Sequence, residues 1–262
     1  MVPEHLQNED FFFSVVLVTE GELSKVPEKF RTKKICTEAV RLSGYALGEV
    51  PRALITYDLC LTAVKKSNQA LQYVPEKYLT YDLCLTHVLQ NGSIPSCIPM
   101  KFKTYELYLA AVKTSAGLLY EVPENYKTPE LCAAAMRGEI IDSSVGDEIT
   151  FVPESIKTAE FCFEAVSLDS RRFRHLTDEH KTAVVSLAAV RQDGKLLEFV
   201  PEKIKTYDVC LAAMEQNGAA LKFVPKEMRD FDICLAAHKS SYWSIRYVPK
   251  DLKERVQEAA KQ

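Results

Sequence analysis

A Val-Pro or Ile-Pro pair recurs every 24 residues along this chain, at Val2, Val26, Val50, Val74, Ile98 and Val122. The spacing widens to 30 before Val152 and then recovers, with Val200, Val224 and Val248 in register and Leu176-Thr177 standing at the intermediate start. A fixed period of this length is the mark of one small structural unit that buries its apolar face only by stacking on its neighbours. The 262 residues divide accordingly into units starting at 2, 26, 50, 74, 98, 122, 152, 176, 200 and 224. A partial unit from 248 serves as a C-terminal cap, and six extra residues fall within 138–151.

Counting each opening Val, Ile or Leu as position 1, position 7 is Thr32, Thr56, Thr80, Thr104, Thr128, Thr158, Thr182 and Thr206, with Asn8 and Asp230 in the other two full units. All are short oxygen-bearing side chains that cap a helix N-terminus. Position 9 is acidic in eight units, among them Asp58, Asp82, Glu160 and Asp208, which suits the positive end of a helix dipole. The spacing therefore predicts a helix beginning at position 8. Apolar residues follow at positions 10, 11, 14 and 15, one helical stripe, as in Leu59, Cys60, Ala63 and Val64. Position 12 (Leu61, Leu85, Leu109, Leu187, Leu211, Leu235) widens the stripe, so each helix is expected to be sandwiched between neighbours. Gly44, Gly92, Gly194 and Gly218 at position 19 are read as helix stops, followed by one short α or 3₁₀ segment. The fold class expected is all-α: a single elongated right-handed α-solenoid of about ten 24-residue repeats, each one α-helix plus one short segment. Phe11-Phe12-Phe13 is read as its N-terminal cap.

The units VPEKYLTYDLCLTHVLQNG and VPEKIKTYDVCLAAMEQNG resemble a family of 24-residue helical repeats of unknown function, found in bacterial effector proteins of intracellular pathogens and in large DNA viruses. The resemblance implies an all-helical array and carries over no catalytic residues. It also implies the reading of a secreted effector, or a fragment of one, acting on proteins in a host cytosol.

Composition narrows the chemistry. A net charge of −3 and a pI near 6.0 give no global attraction to nucleic acid or anionic membrane. No run approaches the roughly 20 apolar residues of a membrane span. Seven of the eight cysteines occupy position 11 (Cys36, Cys60, Cys84, Cys132, Cys162, Cys210, Cys234). Stacked helices lie about 8–10 Å apart, too far for Cα atoms that a disulfide holds about 4.4–6.8 Å apart. These thiols are expected to pack as small apolar groups, without metal or cofactor, in a reducing, cytoplasmic compartment. Cys97 lies outside the register; a thiol enzyme would need it beside a base, and His87 is the candidate.

Three features are left for a partner. Position 6 carries Lys103, Lys127, Lys157, Lys181, Lys205 and Arg229 in consecutive units, answered at position 3 by Glu124, Glu154, Asp178 and Glu202. The row is either a self-neutralising solvated ridge or a reader of acidic or phosphorylated partners. The expanded segment bears Glu139, Asp142, Asp147 and Glu148, and Arg171, Arg172 and Arg174 follow the next helix; insertions in repeats often emerge on a binding face. Aromatic residues at position 8 (Tyr57, Tyr81, Tyr105, Tyr207, Phe231) either cover the preceding segment or grip a peptide. Protein–protein interaction without catalysis is the function expected, a modular nucleic-acid reader and a Cys97-centred thiol enzyme being its alternatives.

Overall fold

In the computed structural model, residues 8–138 and 147–261 are described, and among them every regular element is a helix. The chain is an all-α repeat solenoid. Its α-helices are α1 (Glu9–Val18), α2 (Lys33–Leu42), α3 (Tyr57–Lys66), α4 (Tyr81–Asn91), α5 (Tyr105–Thr114), α6 (Pro129–Arg137), α7 (Ala159–Leu168), α8 (Ala183–Gln192), α9 (Tyr207–Gln216), α10 (Phe231–Ser240) and α11 (Lys253–Ala259). Two compact units are formed, one up to Thr114 and one from Ser115 on. Within the first, α1 to α5 pack each on the next; within the second, α6 to α11 do the same.

Each of α1 to α10 begins at position 8, for the reason the sequence supplies. The position-7 side chain accepts a hydrogen bond from the backbone N–H three residues on, as Thr32 does from Ile35 (3.4 Å), Thr128 from Leu131 (3.2 Å) and Asp230 from Ile233 (3.0 Å). An otherwise orphaned donor is satisfied there. Positions 10, 11, 14 and 15 form the core: Ile35, Cys36, Ala39 and Val40 are fully enclosed, as are Leu131, Cys132 and Ala135. At the N-terminal end Phe12 packs on Phe30, ring centroids 4.7 Å apart. At the other end α11 lies on α10 and buries Val256.

Three expectations need correction. First, two 3₁₀ segments flank the Val-Pro at Val26, Val50, Val74, Val122, Val152, Val200 and Val224, where one was expected. The first ends at the valine, whose N–H bonds back to position 22 (Val26 to Leu23, 2.9 Å). The second starts from the proline carbonyl, which accepts from position 5 (Phe30 to Pro27, 2.9 Å). Proline fixes φ near −65° and donates nothing, so it suits a hinge between two tight turns. Second, only Gly92 is a left-handed helix stop (φ 54°). Gly44, Gly194 and Gly218 instead open the first 3₁₀ segment, packed on the next helix. A Cβ at each would stand 2.2, 2.4 and 1.8 Å from the carbonyl oxygens of Ala63, Ala213 and Ala237. Third, position 12 is not sandwiched: Leu61, Leu85, Leu187, Leu211 and Leu235 are half-exposed, because the neighbouring helices close on positions 10, 11, 14 and 15 alone.

Candidate interaction surfaces

The position-6 cations turn inward, a third possibility beside the solvated ridge and the partner reader. The side chains of Lys127 and Lys157 are 6% exposed, pairing with Glu124 (2.7 Å) and Glu154 (2.6 Å) in their own units. Lys181 reaches Asp178 at 3.5 Å and Lys205 reaches Glu202 at 2.8 Å. Three position-6 cations also tie the start of a unit to its own last residue. Lys205 donates to the Phe223 carbonyl (3.1 Å), 18 residues on, and Arg31 does so to Glu49 (2.7 Å). Arg229 donates to Val224 at the start of its own unit (2.8 Å) and to Tyr247 at its end (3.1 Å). The cation thus satisfies carbonyls that end the 3₁₀ segments, which have no partner within them. Lys103 is half-buried at the same place. This row is built as a clamp that closes each unit on itself.

His180 joins the pattern, its Nε2 2.7 Å from Glu154. Lys157 and His180 together hold the Glu154 carboxyl below the usual carboxylate range.

The expanded segment and its arginines behave differently from one another. Glu139 and Asp142 lie outside the described residues. Asp147 is half-buried, and its carbonyl accepts from the Thr150 hydroxyl. Glu148 and Arg172, expected at a partner surface, are 3% and 1% exposed and bond to each other, Nε to Oε1, at 2.7 Å. The Arg172 guanidinium also donates to the Ala165 carbonyl (2.9 Å). Counted back from Val152 and Leu176, both residues occupy position 21, where Ala46, Leu118, Leu196 and Ala220 fill the core. Arg171 is exposed but folds onto Asp169 (2.9 Å), and Arg174 is exposed.

Burial pushes all seven position-11 thiols up to about 11 from an ordinary 9.0. Among the described residues no cluster of His, Cys, Asp or Glu could hold a metal. Cys97 is half-buried, and burial raises its thiol too. The ring nitrogens of His87 face Ser93 Oγ (3.3 Å) and Asn91 Nδ2 (3.4 Å), and burial lowers its pKa. A raised folded-state thiol pKa favours the fold fully below the unfolded value and loses that contribution as pH climbs. Stability is therefore expected to fall between about pH 9 and 11, followed by circular dichroism under urea. At pH 8 a disulfide-exchange reagent is expected to label Cys97 well before the other seven thiols, with all eight reacting in denaturant.

Apolar and aromatic side chains also remain open to solvent. On the helix face Phe163 (44% exposed), Val184 (62% exposed) and Leu187 line a groove of ≈ 330 Å³ between α7 and α8. On the 3₁₀ edge Trp243 is 68% exposed. Phe163 and Val184 replace the usual leucine at position 12 and carboxylate at position 9, Leu187 keeps the leucine, and Trp243 stands at position 20, where residue type changes from unit to unit.

The repeated unit with its capped helix, core stripe and Val-Pro hinge is now defined, and it can be set against known families. Residues 185–229 and 206–253 match a family described as a domain of unknown function, DUF4116. The two matches overlap and together span most of α8 together with α9 and α10. The resemblance read from the repeats is thereby borne out for this stretch. No curated protein and no solved structure shows significant similarity to the chain. No helix among the described residues is long and apolar enough to cross a membrane.

Proposed function

We propose that the chain is a protein–protein interaction scaffold. The observation that carries this reading is the half-exposed apolar face left on the helices once the units have stacked. Leu187, Leu211 and Leu235 recur at one place on successive helices, and Phe163 and Val184 extend the face into the groove. Exposed apolar surface of this kind, bordered by charge, is the usual mark of a protein-binding site. Exposed Glu160, Asp208 and Asp232 border it at position 9, and Arg191 and Lys239 at position 16. The other recurring residues, by contrast, are committed to caps, core and clamps. The family resemblance adds the reading of an effector acting on host proteins in a host cytosol.

The test replaces Phe163→Ser and Val184→Lys together. Both side chains point to solvent, so the melting curve should not move. Cross-linked recovery of bound proteins from a host-cell lysate should drop about tenfold, as expected when an apolar anchor is lost. An unchanged set of recovered proteins would remove the helix face from consideration.

A further inference from the structure

We infer that the cleft formed by Ala219, Lys222, Trp243, Arg246 and Tyr247 docks an acidic peptide segment bearing an aromatic side chain. This inference rests on the scaffold reading and names a partner chemistry for a second face of the same array. The cleft has a volume of ≈ 190 Å³, enough for one side chain. It lies between two adjacent 3₁₀ segments, Gly218–Phe223 and Tyr242–Tyr247, whose inner residues Ala220, Leu221 and Ser244 are buried. A rigid floor of that kind holds the outward residues in place.

Three observations identify the occupant. Trp243, the only tryptophan in the chain, exposes most of its ring although burial of such a ring is strongly favourable. Its neighbours hold it ready. The Arg246 guanidinium lies 5.6 Å from the Trp243 ring centroid and 5.8 Å from that of Tyr247, and its Nε donates to the Trp243 carbonyl at 3.2 Å. Lys222 Nζ stands 4.4 Å over the Phe223 ring. Side chains already fixed lose little entropy on binding.

The second observation is charge. Among the described residues no carboxylate lies within ion-pair distance of Lys222 or Arg246, unlike the clamped position-6 cations. Residues 170–261 hold 17 Lys and Arg against 13 Asp and Glu, although the whole chain carries −3. An incoming carboxylate would find two available cations beside an aromatic platform, with Trp, Tyr and Arg together supplying the residues that dominate binding hot spots.

The third observation favours peptide over nucleic acid. A single strand bound without sequence preference needs a continuous basic track beside its stacking residues. Position 23 runs Arg174, Glu198, Lys222, Arg246, so an exposed carboxylate interrupts the row. A cleft for one side chain, with cations on its rim, matches a short acidic motif better than a phosphate chain.

The experiment titrates the full chain with a random glutamate–tyrosine copolymer and follows Trp243 fluorescence. Saturable quenching is expected, weakening with salt. Lys222→Glu and Arg246→Glu should each weaken binding about tenfold while leaving the far-ultraviolet circular dichroism unchanged. Polyglutamate, lacking the ring, should bind at least about fivefold more weakly than the copolymer. Absence of quenching, copolymer binding untouched by both charge reversals, or tighter binding of a 20-residue oligothymidylate than of the copolymer would each overturn the inference. None of those results bears on the helix face, whose own test is partner recovery after the change at Phe163 and Val184.

Discussion

Arg172→Met is expected to destabilise the half of the chain from Ser115 on by about 3–5 kcal/mol, and the double change Glu148→Leu with Arg172→Leu to restore most of that loss. The asymmetry comes from desolvation. Glu148 and Arg172 are almost wholly enclosed and meet at 2.7 Å, so neither charge has water to fall back on. Removing the guanidinium leaves a carboxylate in the core without that cation, and the Ala165 carbonyl loses its donor as well. Replacing both charges by leucine recreates the apolar pairing that other units already use at position 21, as Leu118 and Leu196 show. Urea denaturation of the two variants beside the parent checks the expectation. A double variant as unstable as the single one would mean that the pair contributes more than neutralisation, with alignment of the expanded unit as its added role. Glu148→Gln is a milder companion, since it keeps the shape and an acceptor oxygen while removing the charge.

Gly218→Ala is expected to cost about 3 kcal/mol, at the upper end for overpacking, while Gly117→Ala shifts stability by no more than about 0.5 kcal/mol. The two glycines differ only in what surrounds them. A methyl group at Gly218 would sit 1.8 Å from the Ala237 carbonyl oxygen and 2.7 Å from its carbon, both backbone atoms of α10 that cannot rotate away. At Gly117 the nearest atom is the Ser115 Oγ at 3.8 Å. Thermal melts of the two variants decide the matter. Equal effects would show that backbone freedom, and not the approach of neighbouring helices, is what glycine supplies at these segments. Gly44→Ala and Gly194→Ala should follow Gly218→Ala, because their contacts with Ala63 and Ala213 have the same form.

Much of the architecture was legible in the residues, and the limits were physical. Helix starts could be placed at position 8 because capping is local chemistry, decided within three residues of the threonine. The cysteine and alanine stripe could be assigned to the core because period 3.6 identifies a face. Direction across the stack was harder. Lys205 looks like a surface charge in sequence, and only the path of the 3₁₀ segment shows that its stem runs inward to the Phe223 carbonyl. Position 12 looked buried because hydrophobicity alone cannot tell a packed leucine from one left at an open face. Glycine at position 19 follows the last helical residues in sequence like any stop, whereas the next helix, 19 residues downstream, is what excludes a side chain there. Glu148 and Arg172 could have been recognised. Aligning the expanded unit backward from Val152 places both in the core column, where opposite charges in adjacent units imply a pair. Trp243 carried a weaker signal, a large ring in a column that otherwise holds Tyr45 and unrelated small or polar residues.

The clamp at position 6 has a consequence for how such a chain can lengthen. Arg31, Lys205 and Arg229 each donate to a carbonyl 18 residues ahead, on the last residue of the same 24-residue unit. Copying any 24 residues in tandem therefore inserts one new cation and one new acceptor together, and each finds its counterpart without any change elsewhere. An addition of another length, such as the six residues before Asp147, shifts donor against acceptor and must be absorbed before the next valine. Growth by whole cassettes is chemically neutral here, and growth by fragments is not.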